Sequence, residues 1–102
     1  MLPEMTEEDR AAALARAGEA RRIRAEIKQL LKTGSLRFTD VLERAEEDDL
    51  VAGTKIQAII VSMPGMGKVA TKRLMAEIGI ADNRTLRGLG KNQRAELIVR
   101  FS

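Results

Sequence analysis

The residues with the clearest chemical potential form the stretch at positions 62–68, SMPGMGK, which leads into a basic segment. Gly65 and Gly67 have no Cβ, so we expect both to allow positive φ and close approach of the backbone to a ligand. A helix that begins here presents N–H groups without internal partners, and such groups bind anions. Lys68 adds a full positive charge. The stretch, including Met66, therefore predicts a phosphate-binding turn.

This turn overlaps the end of the nucleotide-binding P-loop pattern G-x-x-x-x-G-K-[ST], but the match fails. Ser62 stands where the first glycine is required, and Val69 replaces the hydroxyl residue that would hold magnesium. The alternative explanation of a lone G-x-G is purely structural: the glycines are needed only for the bend between two helices. Lys72 and Arg73, which follow on the same segment, favour contact with a nucleic acid over that alternative.

Two further basic groups could contact the same polymer. Arg84 and Arg87 are three residues apart in a short segment bounded by glycines, and Lys91 follows. The guanidinium group is a planar fork of donors that suits phosphate. The second group is a basic stripe on successive turns of the first predicted helix: Arg21, Arg24, Lys28 and Lys32. Taken alone, the stripe is better explained as a solvated helix face.

The charges are segregated along the chain. Residues 10–32 and 63–102 each carry a balance of +5, whereas residues 1–9 carry −4 and residues 33–62 carry −3. Segregated charge creates a field that attracts polyanions. Beside the glycine turn, this distribution favours a polyanion, such as the backbone of a nucleic acid, as the partner.

The composition narrows the possible functions. The 102 residues include no cysteine and no histidine, so thiolate chemistry and disulfides are excluded and a zinc site is improbable. We expect no catalysis, no cofactor and no metal. No apolar run reaches the about 18 residues of a transmembrane helix, and the N-terminus is acidic and lacks an apolar run. The sequence therefore predicts a cytoplasmic protein without a membrane partner.

The pattern along the chain is helical throughout. Thr6, followed by three acidic residues, predicts the start of a long helix that ends near Lys32. The N-terminal half of its apolar face is only alanine, so we expect this half to project from the body. Further helices are predicted at residues 36–46, 50–62, 67–77 and 91–100.

Ser35 is expected to cap the second of these helices, and Ile56, Ile59 and Ile60 are the strongest core candidates of the third. The predicted fold class is all-α. Residues 1–34 are expected to form the long N-terminal helix and residues 35–102 a compact body, within one structural domain. Because no heptad seam is evident, a monomer is the default expectation.

These residues together resemble the actinobacterial integration host factor family, whose members are small nucleoid-associated DNA-binding proteins. The resemblance covers nearly the whole chain. It runs through RAAAL at positions 10–14, ARRIRAEIK at 20–28, DVL at 40–42, MPGMGKV at 63–69 and RGLG at 87–90. The glycine turn alone is shared with many helix–hairpin–helix and helix–two-turns–helix modules, including ribosomal S13-type proteins.

The resemblance implies a long N-terminal helix followed by an S13-like helix–two-turns–helix body. It also implies binding of duplex DNA with little sequence preference, bending, bridging or compaction of the nucleoid, and assistance to a phage integrase in site-specific recombination. The glycine turn with Lys68 would match the family's phosphate contact, and Arg84 with Arg87 its basic loop. A structured-RNA or ribosome-associated protein and a protein–protein adaptor stay open as alternatives.

Overall fold

The computed structural model describes residues 6–102, and the first five residues of the predicted N-terminal segment lie outside the described part. Six α-helices and one 3₁₀ turn follow in order: α1 Glu7–Lys32, α2 Phe38–Glu47, α3 Asp49–Ala52, α4 Ile56–Val61, α5 Lys68–Ile78, the 3₁₀ turn Leu86–Gly88 and α6 Lys91–Arg100. Over residues 6–102 there is no β-strand, only an isolated antiparallel bridge between Lys55 and Thr85. The all-α prediction is confirmed.

The long helix α1 is held at its start by a reciprocal cap and at its end by the core. The Thr6 hydroxyl accepts a hydrogen bond from the Asp9 N–H at 3.0 Å, and the Asp9 carboxylate accepts one from the Thr6 N–H at 3.2 Å, which satisfies two otherwise free donors. Ile27 and Leu31 are fully buried near the other end. The C-terminal half of α1 is thus fixed to the body.

The N-terminal half of α1 projects as its alanine face predicts, because alanine buries too little area to hold it down. Every residue from 7 to 17 is exposed. The 26 residues of α1 span about 39 Å. The radius of gyration is 15.4 Å, compared with about 13 Å for a compact chain of this length. The described residues therefore form a compact body with an extended arm.

Aliphatic side chains fill the core, since the chain has only two aromatic residues. Ile56, Ile59 and Ile60 of α4 are all 0% exposed, which confirms the core predicted there. Phe38 at the start of α2 packs against Phe101 with ring centroids 5.3 Å apart. This contact ties the end of the chain to the core. It fixes α6 beside α2.

The predicted single helix over residues 50–62 is wrong, because the helix ends at Ala52 and the chain passes through a bend at Thr54 to extended backbone at Lys55. The Thr54 carbonyl accepts from the Leu86 N–H at 3.0 Å, and the Ile56 N–H donates to the Arg84 carbonyl at 3.0 Å. These long-range bonds replace the helical ones. Two short helices, α3 and α4, result, and the segment around Arg84 is tied to the start of α4.

The predicted start of the second helix is also wrong by two residues. Its N-cap is Arg37, not Ser35, and the Asp40 carboxylate accepts from the Arg37 N–H at 2.9 Å. Leu36 is buried before the helix begins and Arg37 is extended, so the helix starts later. The helices predicted at 67–77 and 91–100 are confirmed to within one residue.

We expect Ile59→Ala to lower the free energy of unfolding by about 2–5 kcal/mol, because it leaves a cavity in the aliphatic core. Chemical denaturation followed by circular dichroism measures the change. Val99→Ala is the control, since Val99 is 78% exposed and its truncation should cost about 0.5 kcal/mol or less. Equal effects of the two substitutions would contradict this placement of the core.

Candidate nucleic-acid interface

The glycine turn is a type II β-turn that joins α4 to α5. The Met66 N–H donates to the Met63 carbonyl at 3.1 Å, and Gly65 has φ +80°. A positive φ in the third position is characteristic of this turn type, and proline is common in the second. The backbone geometry therefore requires Gly65 and favours Pro64.

Gly67 does not have the positive φ that was expected of it. Its φ of −110° and ψ of −176° are ordinary extended backbone, so positive φ is not the reason for a glycine here. A Cβ placed on Gly67 would meet no atom within 4 Å. The residue leaves open space immediately before α5, and that space is where a ligand would lie.

The first turn of α5 presents free amides to this open space. Gly67 is the N-cap and offers no side-chain hydrogen bond, and the first internal bond runs from the Thr71 N–H to the Gly67 carbonyl at 2.9 Å. The N–H groups of residues 68–70 consequently have no partner within the helix. They carry the positive end of the helix dipole. Lys68 is exposed beside them, so the predicted anion-binding elements are together.

Three lysines and an apolar floor form a cleft between α4 and α5, here called the lysine cleft. Its lining consists of Lys55, Gln57, Ala58, Val61, Lys68, Thr71 and Lys72, and its volume is about 460 Å³. The lysines are exposed, whereas Ala58 and Val61 are half-buried and Thr71 is buried. The cations therefore form the rim. Lys72, one turn after Lys68 on α5, lines the same cleft.

Lys55 is the cationic residue of the lysine cleft that the sequence analysis missed. The helix predicted over residues 50–62 places Lys55 in a helix interior within an acidic segment, where no sequence feature marks it as a binding residue. The break at Gly53 and Thr54 places it at the N-cap of α4 instead. The only signal in the sequence was that glycine, which a continuous helix does not explain.

The arginines of the glycine-bounded segment are exposed but engaged within the chain. The Arg84 guanidinium donates to the Gly88 carbonyl at 2.7 Å, and it passes so close that a Cβ on Gly88 would lie 2.8 Å from the Arg84 Cδ. Arg87 pairs with Asp49 at 3.3 Å. Arg84 is thus fixed over the 3₁₀ turn, while Arg87 is directed toward α3.

Lys91 and the basic stripe are placed on other elements. Lys91 is exposed at the start of α6, where the Gln93 amide accepts from the Gly90 N–H at 2.9 Å and donates to the Gly79 carbonyl at 3.0 Å. This bridge fixes the start of α6 against the end of α5. The stripe lies on α1, which packs mainly against α3 and α4. Arg21, Arg24 and Lys32 are exposed and Lys28 is half-buried.

Met66 of the glycine turn and Leu89 of the glycine-bounded segment are both half-buried and pack against the core. Met66 thereby anchors the glycine turn. The exposed apolar residue nearest the free amides is Val69, at 71%.

Within residues 6–102, no three His, Cys, Asp or Glu side chains are grouped so that they could hold a metal ion. None of the helices in the same range has the length and apolar run needed to cross a bilayer.

A family model and several known proteins match most of this chain. Residues 31–101 match the family model of the S13-like H2TH domain. Integration host factor from Mycobacterium tuberculosis is 46% identical over 98% of this chain and 95% of its own length. Integration host factor from Streptomyces coelicolor is 45% identical over 98% of this chain and 94% of its own.

A solved structure described as sIHF bound to an 8-bp palindromic DNA is similar across the fold. It superposes with a TM-score of 0.81 at 41% sequence identity, and the match covers 84% of this chain and 97% of the other.

The two glycines of the turn should respond differently to substitution. Gly65→Ala should lower the free energy of unfolding by about 1–2 kcal/mol, because it forces a Cβ into left-handed backbone. Gly67→Ser should leave it unchanged or raise it by a few tenths of a kcal/mol, since serine is a good N-cap in extended backbone. Thermal and urea unfolding measure both, and an equal loss in the two variants would contradict the assigned backbone geometry.

Proposed function

The chain belongs to the actinobacterial integration host factor family, and from this membership we propose that it is a nucleoid-associated protein that binds duplex DNA with little sequence preference. The observation that carries the proposal is the similarity, at 41% identity, to a structure described as bound to DNA. The free amides before α5 and the exposed Lys68 support it independently of that similarity, because they suit a phosphate oxygen.

The proposed mechanism works through the sugar-phosphate backbone. The N–H groups of residues 68–70 donate to one phosphate, and Lys68 adds a charge-assisted contact. Contacts of this kind position a protein on DNA but carry no sequence information directly. Weak sequence preference follows from the chemistry of the site.

A second surface would let the protein bend, bridge or compact DNA. We assign Arg84, Arg87 and Lys91 to one surface and the basic stripe to a second surface, on the C-terminal half of α1 that packs on the body. Arg87 can reach a phosphate only by exchanging its partner Asp49, and this exposed pair at 3.3 Å costs little to break. In this division, residues 35–102 hold the DNA and residues 1–34 contribute the stripe.

The proposed cellular role follows from this activity. A protein that bends or compacts DNA with little sequence preference is located in the nucleoid. By bending the DNA it can bring recombination sites close together and so assist a phage integrase. The chain acts by binding as a monomer, with no cofactor and no catalytic step. A structured-RNA or ribosome-associated function is the alternative that the following tests separate.

Binding should depend strongly on salt. If about six phosphates are neutralised, the logarithm of the association constant should fall against the logarithm of salt concentration with a slope near −5. Fluorescence anisotropy with mixed-sequence duplexes between 50 and 200 mM salt measures the slope. A flat response would remove the electrostatic mechanism.

Lys68→Ala should weaken binding about fivefold to tenfold at 100 mM salt, alike for all sequences, because one phosphate contact is lost. The control is Arg100→Ala, which removes the same charge near the far end of α5, where Arg100 pairs with Glu77 at 3.7 Å. If the two variants bind alike, net charge rather than the glycine turn governs affinity.

Gly67→Ser should weaken binding about tenfold although the fold is preserved. The serine hydroxyl takes one of the amides that the phosphate would use and adds bulk in the open space. The same anisotropy titration measures it. Wild-type affinity in this variant would show that the turn serves only as a corner between helices.

Competition between duplex DNA and duplex RNA of the same sequence distinguishes the two nucleic-acid functions. We expect DNA to displace the labelled probe at a lower concentration than RNA. The reverse order would favour the RNA alternative.

A further inference from the structure

The lysine cleft differs in charge from the other clefts of the body. Glu46 and Asp49 line one of them, and Glu47 and Asp48 line another. The lysine cleft has three lysines and no carboxylate. Within residues 6–102, the three ion pairs found all involve arginine. The amines of Lys55, Lys68 and Lys72 are therefore left for an external anion.

The shape of the cleft fits a particular kind of polyanion. Its rim is cationic and its floor consists of the apolar or buried residues Ala58, Val61 and Thr71. A nucleic-acid strand alternates anionic phosphates with largely apolar sugar rings. The volume of about 460 Å³ lies within the range of about 300–1,000 Å³ that is usual for sites that take small organic groups.

Backbone hydrogen bonds fix the position of Lys55 at the rim of the lysine cleft. Its bridge with Thr85 and the bond from the Ile56 N–H to the Arg84 carbonyl at 3.0 Å hold the start of α4 against the segment that carries Arg84. Lys55 therefore shares the lysine cleft with Lys72 and lies beside the segment that carries Arg84. It joins two basic groups that are far apart in the sequence.

We propose that the lysine cleft is a groove for the DNA backbone, in which Lys55 binds a phosphate and the floor receives the adjoining sugar. This inference rests on the proposed DNA-binding function. The groove would extend the DNA contact from the free amides of α5, across the start of α4, to Arg84. These elements would then form one continuous DNA-binding surface.

The first test removes the Lys55 cation. Lys55→Ala should make the salt slope shallower by about 0.9 and weaken binding about fivefold to tenfold at 100 mM salt. The side chain is exposed and the bridge to Thr85 is formed by backbone atoms, so the fold should persist. Arg100→Ala is the charge-matched control and should keep the wild-type slope.

The second test blocks the floor without changing any charge. Ala58→Met places a longer side chain in the cleft and should weaken binding at least fivefold. Ala95→Met is the control, because Ala95 is an exposed helical alanine on α6 that does not line the lysine cleft. Circular dichroism and thermal unfolding confirm that each variant is folded.

Wild-type binding by either Lys55→Ala or Ala58→Met overturns the inference, as does an equal loss in a variant and its control. Lys68→Ala, measured in parallel, reports on the proposed function itself. If Lys68→Ala weakens binding and Lys55→Ala does not, the DNA-binding function stands and the groove is wrong. If none of these variants changes binding, both the groove and the proposed phosphate contact at the start of α5 are wrong.

Discussion

The site depends on one backbone constraint, the type II turn at residues 63–66. Pro64 and the positive φ of Gly65 reverse the chain tightly, and the inward contact of Met66 with the core holds the turn in place. The next residue, Gly67, then begins α5 in open space. Because no side chain caps this helix, its first amides remain available. The anion-binding capacity of the protein is thus a consequence of how α4 and α5 are joined.

A second constraint determines which cations accompany those amides. The break at Thr54 and Lys55 exchanges helical hydrogen bonds for bonds to the segment at residues 84–86. The Thr54 carbonyl and the Ile56 N–H, which belong to buried residues, both find new partners there, as buried backbone groups require. The exchange positions Lys55 on the rim of the lysine cleft and fixes the neighbouring arginine segment to α4. The proposed DNA surface therefore joins three distant parts of the sequence.

Local patterns predicted the helices and the glycine turn well, because caps, glycines and apolar spacing act over a few residues. The cap at Thr6 and the exposed alanine arm are examples. The break at Thr54 could not be predicted in this way, since it is driven by bonds to residues 30 positions away. For the same reason Lys55 was missed, and the ion pair that directs Arg87 toward Asp49 was not foreseen. The DNA-binding roles of all these residues stay predictions.

The most direct measurement of the central claim is a titration of the ¹⁵N-labelled protein with a short duplex, followed by the backbone amide resonances. Hydrogen bonding of a phosphate to the start of α5 predicts large shifts for the amides of Lys68, Val69 and Ala70 at low salt, and these shifts should diminish as salt is raised. If DNA binds and shifts other resonances while those three amides stay unchanged, the account is contradicted.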